Sequence, residues 1–267
     1  MLKFAERLFQ AMLPAAAAAL SMAALPVAHA DVVYQTSFEN PPFAVGPIAG
    51  QDGWSVYGPS TPTIENNFAF SGSQAVFVDG GTATQSGPDH SDSPTGPLID
   101  LSAEIAVFTS STESEWQFAG LGPGLVPFLG GIDIYADDSI HAISAGYADI
   151  GTFPRATAFN SSAWHQIDLL FNMNSQTYNI SLDGSTLATN LPFCGDNSVC
   201  AGAPVSSYGS TIFDSFGAQS TLNNATANDS GYMDNFLLAN VPEPSSLLLF
   251  GAGLAVAAAR IKRQRAR

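Results

Sequence analysis

Residues that form turns divide most of this sequence into short segments. Between positions 31 and 241, Gly, Pro, Ser, Thr and Asn recur at intervals of about 8–12 residues, the strand spacing of β-sandwiches and β-barrels. The segments between them are rich in β-branched and aromatic residues, and no long segment has apolar residues at helical spacing. A stretch of about 210 residues suits one domain of this kind. We therefore predict a single domain that is nearly all β.

The apolar runs of this region predict its strands. We place them at residues 32–38, 67–70, 74–78, 105–110, 115–119, 132–136, 140–145, 165–172, 177–182, 211–217 and 232–239. The acidic pair Asp137-Asp138 is predicted to be a hairpin turn. We interpret the segment from Asp89 to Asp92 as a flexible loop.

The clearest local unit is the segment 164–187. After Trp164, apolar side chains occupy every second position from 167 to 171 and again from 178 to 182, the period of half-buried strands. A polar connection joins the two runs, and Asp183-Gly184 follows the second. Asp-Gly suits the positive φ angles of a tight hairpin turn, so the unit predicts two antiparallel strands and a turn.

Charge is distributed very unevenly along the chain. All but two of the 23 acidic residues, but only one of the eight basic ones, lie between Asp31 and Val241, which gives this segment a net charge of −20. The single basic residue is Arg155. Such a surface repels nucleic acid and anionic membranes, so neither is an expected partner. Because few salt bridges can form, we expect stability to come from apolar burial and backbone hydrogen bonds.

The first 30 residues have the organisation of a signal peptide. Lys3 and Arg7 precede an alanine-rich apolar run, and Ala28 and Ala30 provide the small residues of an A-x-A cleavage site. We predict a signal helix that a signal peptidase removes after Ala30. A retained anchor helix is the alternative.

The last 27 residues contain three features in a fixed order. The motif Pro242, Glu243 and Pro244 is followed by an apolar segment, 245–259, and by a basic tail, 260–267. Basic residues resist translocation, so the tail is expected to stay cytoplasmic. The apolar segment predicts a transmembrane helix, although its length gives only a marginal span of the roughly 30 Å hydrocarbon core.

This tail resembles the PEP-CTERM sorting signal of Gram-negative bacteria. The resemblance implies that Pro242, Glu243 and Pro244 are recognised by an exosortase, a membrane enzyme, after transient insertion in the inner membrane. It also implies an exported protein at the cell surface or in the extracellular matrix, associated with exopolysaccharide and biofilm. A simple C-terminal anchor with an accidental motif is the alternative.

The region between the signals, residues 31–240, resembles concanavalin-A-like or laminin-G-like jelly rolls. The segment from Trp164 to Leu187 looks like their central hairpins, and the segments around Thr36–Glu39, Gly50–Trp54 and Tyr232–Phe236 look like the ends of the sandwich. The resemblance implies two antiparallel sheets in which the first and last strands are adjacent.

The same resemblance suggests a structural calcium ion. In many jelly rolls a carboxylate on the first strand meets one on the last strand, joined by loop carbonyls, and calcium prefers such hard oxygen ligands. Glu39 and Asp234 occupy the matching positions here. The alternative is that both carboxylates simply accept backbone hydrogen bonds at a sheet edge. No other cofactor is expected.

Two cysteines, Cys194 and Cys200, flank a short polar loop. In an exported protein this spacing predicts a local disulfide. It lacks the C-x-x-C spacing of a redox pair, and two ligands do not make a zinc site.

Catalytic motifs are not found in the sequence. It contains no H-E-x-x-H, G-x-S-x-G or G-x-G-x-x-G, and the run Glu113-Ser114-Glu115-Trp116 does not match the E-x-D-x-x-E strand of laminarinase-like enzymes. Sugar stacking is open to Trp54, Tyr57, Trp116 and Trp164, with core packing as the alternative and the one favoured for Trp164. We therefore expect a non-catalytic matrix or surface protein. A lectin-like module is the alternative, and a divergent glycoside hydrolase is less favoured.

Overall fold

The computed structural model describes residues 30–79, 87–108, 114–123, 128–135, 137–144, 148–155, 161–193, 207–217 and 230–242. The segment Asp31–Val241 is one compact unit. The predicted signal helix and transmembrane helix lie outside the described residues. Within those residues, no helix is long and apolar enough to cross a membrane.

The described part of the chain contains sixteen strands and one short 3-10 turn, Ser161–Ala163. The strands of its first half are β1 Asp31–Thr36, β2 Gly46–Pro47, β3 Trp54–Tyr57, β4 Thr63–Glu65, β5 Ala75–Asp79, β6 Gly87–Ser91, β7 Leu98–Phe108 and β8 Ser114–Leu121. Those of its second half are β9 Phe128–Ile134, β10 Ser139–Ala142, β11 Asp149–Thr152, β12 His165–Asn172, β13 Thr177–Leu182, β14 Ser185–Pro192, β15 Ser210–Gly217 and β16 Ser230–Val241.

These strands form two antiparallel sheets. The first sheet has nine strands in the order β14-β13-β12-β7-β16-β5-β4-β2, with β1 also paired to β16. The second has seven strands in the order β11-β10-β9-β8-β15-β6-β3. Their facing apolar side chains form one large core that includes Trp54, Trp116 and Phe171. The predicted all-β, two-sheet jelly-roll sandwich is therefore confirmed.

The long strand β16 changes its neighbour halfway along one edge. Its first residues, Ser230 to Met233, pair with β5, and its later residues, from Phe236 to Asn240, pair with β1. A register irregularity on the other edge, against β7, lies between Asp234 and Leu237. The predicted adjacency of the first and last strands is confirmed, since Asp31 pairs with Asn240.

Glycines in the second sheet make room for large side chains of the first. Tyr178 on β13 reaches across the core, and its hydroxyl donates to the carbonyls of Gly131 and Ile143 at 3.2 and 2.9 Å. The ring passes beside Gly130, where a Cβ atom would lie 2.5 Å from Cε1 of Tyr178. Gly130 therefore has no space for any side chain.

Most predicted strands are confirmed, several with different ends. The strands β12 and β13 have the predicted bounds, and Asp183 and Gly184 adopt the predicted positive φ angles, 50° and 71°. Asp137 and Asp138 lie between β9 and β10 as a turn. The strand predicted from residue 105 begins earlier, at Leu98, because its polar positions lie on the face turned away from the core.

Two local predictions were wrong. Residues 67–70 form a loop, and Phe68 packs on Trp164 with ring centroids 4.8 Å apart. The supposed loop at 89–92 is largely strand β6, and His90 is buried with its ring stacked 4.0 Å from that of Tyr34. Aromatic contacts with distant residues determine the structure of both segments. The hydrophobicity of the local sequence does not show these contacts. The strands β2, β3, β4, β11 and β14 were not predicted because they are short or lack a clear alternation.

Replacing Gly130 with alanine is expected to destabilise the sandwich. The new methyl group overlaps the Tyr178 ring, which its two hydrogen bonds hold in place, so we expect a loss of about 1–3 kcal/mol in the free energy of unfolding. Gly151→Ala is the matched control, because its Cβ atom would lie 3.6 Å from Leu187, an ordinary contact. Equal denaturation midpoints for the two variants would contradict this account of the core.

Candidate functional site

The predicted metal ligands Glu39 and Asp234 lie on either side of one loop, residues 66–74. Asp234 is fully buried, and its Oδ2 accepts hydrogen bonds from the backbone N–H groups of Phe70 and Ser71 at 3.0 and 2.9 Å. Glu39 accepts from the N–H groups of Ser73 and Gln74 at 2.7 and 2.8 Å. The two carboxylates thus hold the loop where β16 changes its neighbour.

The environments of these two carboxylates shift their acidities in opposite directions. Burial raises the pKa of Asp234 to about 6, and repulsion from Glu39 adds to this effect. Burial also opposes ionisation of Glu39, but its hydrogen bonds from Ser73 and Gln74 outweigh that effect and lower its pKa. Both carboxylates accept hydrogen bonds from N–H and O–H donors. This arrangement fits the alternative, in which the two carboxylates bind the backbone at a sheet edge, better than it fits a calcium centre.

Calcium binding at Glu39 and Asp234 stays a prediction with a direct test. Among the described residues, no group of three or more His, Cys, Asp or Glu side chains is arranged to hold a metal ion. If calcium bridges the two carboxylates, a chelator lowers the melting temperature of the purified protein and added calcium restores it. An unchanged transition removes the calcium hypothesis.

The Asp234→Asn variant is expected to be less stable than the parent protein by about 2 kcal/mol. The carboxylate accepts three backbone hydrogen bonds, including one from Asn235 at 2.7 Å, and an amide NH2 group placed there would face an N–H donor. Asp149→Asn is the control, because that side chain is exposed and accepts a local bond from the N–H group of Gly151, two residues away. Chemical denaturation of both variants measures the difference.

A different set of polar side chains crosses the second sheet. Gln117, Asp133 and His141 are register partners on β8, β9 and β10, and Glu115 and Tyr135 lie one row further on. Their strand neighbours Trp116, Ile132, Ile134 and Ile140 belong to the core. By strand alternation, the five polar side chains lie on the face turned away from the core. We call these five residues the polar face.

The polar face has a buried floor and a more exposed rim. Gln117 and Asp133 are almost fully buried, and the Gln117 amide donates to Oδ1 of Asp133 at 2.7 Å. Glu115, Tyr135 and His141 are half-buried, and the rings of Tyr135 and His141 have centroids 4.4 Å apart. A carboxylate, an amide and an aromatic pair are the groups that bind sugar hydroxyls and ring faces.

Burial dominates the electrostatics of this face. It raises the pKa of Asp133 to about 7, a shift that repulsion from Glu115 increases and the Gln117 hydrogen bond reduces. Burial raises the pKa of Glu115 as well. The pKa of Tyr135 is raised to about 12 by burial and by the negative charges of Glu115, Asp133 and Asp137. The negative charges of three acidic groups therefore oppose ionisation of the same hydroxyl group, that of Tyr135.

The stability of the protein is expected to fall as the pH rises from about 4 to 7.5. Asp133 binds its proton more tightly in the folded state than in the unfolded state, so its contribution is complete below pH 4 and is lost as the pH rises through about 7. The Asp133→Asn variant should lose this part of the pH dependence, on the order of 3 kcal/mol, and should keep the contact with Gln117. Melting curves across this pH range, with Asp149→Asn as control, test the assignment.

The three tryptophans are unavailable for sugar stacking. Trp54 and Trp116 lie in the main core with 2% and 0% exposure. Trp164 is also buried, as expected, but in a separate aromatic cluster on the outer face of the first sheet.

The polar side chains of the polar face alternate with apolar ones along β8, β9 and β10, and this alternation is visible in the sequence. The sequence could not show that these three strands are neighbours.

Several predicted site residues lie outside the described part of the chain. These are the cysteines Cys194 and Cys200, the signal residue Ala28 and the motif residues Glu243 and Pro244. Pro242 and Ala30 are described only as the residues that flank the sandwich. The disulfide and both cleavage sites therefore stay predictions.

Comparison with protein families identifies the C-terminal signal. Residues 240–264 match the model of the PEP-CTERM protein-sorting motif, which confirms the resemblance found in the sequence. No match is found among curated proteins.

Solved structures with a similar fold are distant in sequence. A sialidase has a TM-score of 0.56 at 9% identity; the match covers 81% of this chain and 19% of the sialidase. The chain thus spans about a fifth of that protein, and the likeness concerns the fold alone. Weaker likenesses are to a xylan-binding domain of Paenibacillus barcinonensis Xyn10C (TM-score 0.41, 13% identity, 80% and 97% covered) and a galectin-like protein of Bacillus subtilis (0.47, 11%, 80% and 98%).

Proposed function

We propose that this chain is an exported, non-catalytic surface or matrix protein whose sandwich binds polysaccharide. The observation that carries the proposal is the combination of a PEP-CTERM motif at residues 240–264 with the polar face on β8, β9 and β10. The motif supports sorting by an exosortase, and the polar face offers the chemistry that a sugar ring requires. The final location is the cell surface or an extracellular matrix that contains exopolysaccharide.

The proposed route begins at the signal peptide and ends at the sorting motif. A signal peptidase cuts after Ala30, the apolar segment 245–259 inserts in the inner membrane, and the basic tail keeps its end in the cytoplasm. Glu243 then lies on the outer side, within reach of an exosortase. The short apolar segment suits temporary residence, because it spans the hydrocarbon core only marginally.

Mass spectrometry of the native protein tests this route. In wild-type cells we expect a mature chain that begins at Asp31 and ends close to Pro242-Glu243-Pro244. In cells without exosortase, the chain should keep the tail as far as Arg267 and stay with the membrane. Recovery of the secreted chain with its terminal arginine from wild-type cells would contradict the proposal.

Sugar binding through the polar face is tested with an aromatic substitution. The Tyr135→Ala variant should lose a stacking surface worth about 1 kcal/mol, or about fivefold in affinity for the exopolysaccharide of the producing cell. Phe70→Ala is the matched control, because Phe70 is 46% exposed and lies next to Trp164, whose cluster covers the outer face of the first sheet. Affinity electrophoresis or pull-down compares both with the parent protein, and equal binding by all three would exclude this face.

A non-catalytic function agrees with the position of the carboxylates. A glycosidase uses two carboxyl groups that flank the scissile bond and reach the substrate. On the polar face Asp133 has only 3% of its surface exposed and is already bonded to Gln117, so it lies below the surface that a sugar would contact. Glu115 is the more exposed carboxylate of this face.

A further inference from the structure

We propose that the polysaccharide bound at the polar face carries free amino groups, so that the ligand is a cationic glycan. This inference rests on the proposed function and names the ligand class. Its basis is the charge of the domain and the position of Glu115 beside the rings of Tyr135 and His141.

The polar face has no Lys or Arg side chain to bind an acidic sugar, and His141, its one group that can carry a positive charge, already attracts Glu115. Arg155 is the only Lys or Arg residue between positions 31 and 241. Its Nε atom lies 2.8 Å from Oδ1 of Asp138, and its Nη2 donates to the backbone carbonyl of Tyr135, at the turn between β9 and β10. Its side chain is 3% exposed. This arginine stabilises a turn from within and does not extend toward a ligand.

The outer face of the other sheet has the same charge. Asp100, Glu104 and Asp168 lie on β7 and β12, with their strand neighbours Leu101, Ile105 and Leu169 in the core. Burial raises the pKa of Asp100 to about 6, and repulsion from Asp168 contributes. A polymer of uronic acids or other anionic sugars would thus meet negative charge on both sheets. Repulsion of this kind selects against such polymers.

A protonated amine would complete the polar face. Glu115 is half-buried beside Tyr135. Its neighbour of opposite charge is His141, and no described Lys or Arg side chain pairs with it. An ammonium group at this position would gain a charge-assisted hydrogen bond from Glu115. The ring of Tyr135, which packs against that of His141, offers a cation–π contact to the same group. The net charge of −20 on the segment would attract the polymer from a distance, over about 8–10 Å at ordinary ionic strength.

The test uses one sugar backbone in two chemical forms. Oligosaccharides of β-1,4-linked glucosamine and their fully N-acetylated counterparts of equal length are titrated into the full chain at pH 6, where the amines are protonated. We expect the amino form to bind at least tenfold more tightly and to lose affinity as salt is raised from about 50 to 300 mM. The N-acetylated form should show little dependence on salt.

Two charge-matched variants separate a site from bulk attraction. Glu115→Gln should weaken binding of the amino form about three- to fivefold, the effect of one ion pair. Asp31→Asn removes the same charge from an exposed position on β1, in the other sheet, and should change binding little. Equal losses in both variants would show that only bulk charge attracts the polymer, which overturns the proposal.

The outcomes also distinguish this inference from the proposed function. Equal, Tyr135-dependent binding of both sugar forms would leave polysaccharide binding intact and overturn the preference for amines. Failure of both forms and of the native exopolysaccharide to bind would contradict both proposals. Melting curves of each variant check that the fold is retained.

Discussion

The buried carboxylate of Asp234 lies at the position on which the rest of the first sheet depends. The strand β16 pairs with β5 before this residue and with β1 after it, so its hydrogen-bonding edge is interrupted there. Asp234 accepts the N–H groups of Phe70 and Ser71 from the loop that fills the interruption, and Glu39 holds the other end of that loop. A carboxylate that accepts several N–H bonds can stay in a buried position that would otherwise be costly. The hydrogen bonds of Asp234 and Glu39 thus connect the end of the first strand, the loop 66–74 and the last strand.

The second organising constraint is the near absence of positive charge. Arg155 lies inside the turn between β9 and β10, and no other Lys or Arg between positions 31 and 241 can pair with the many carboxylates of this segment. Where burial is deep, as at Asp133 and Asp100, the structure responds with raised pKa values instead. The same imbalance restricts the ligands that the surface can attract, and it connects stability, pH dependence and the proposed ligand class.

Sequence periodicity was most informative where a strand has one buried face and a local turn. The strands β12 and β13 and the turn at Asp183-Gly184 were predicted with their bounds, because alternation and turn chemistry agree there. Periodicity failed at β6, where His90 is buried by stacking on Tyr34 from β1. It also failed at residues 67–70, where Phe68 packs on Trp164 from a loop. Contacts between distant segments fix both cases, and a local pattern does not contain them.

The sequence alone determined the class of fold, the negative charge of the sandwich and the order of the C-terminal signal, because each follows from residue type and spacing along the chain. The resemblance to jelly rolls also related Glu39 to Asp234. Only the tertiary structure decided that these carboxylates face N–H donors of one loop, and that Gln117, Asp133 and His141 form one row. The physical reason is strand pairing: which strands become neighbours depends on burial summed over both sheets, and that sum cannot be read from any single segment.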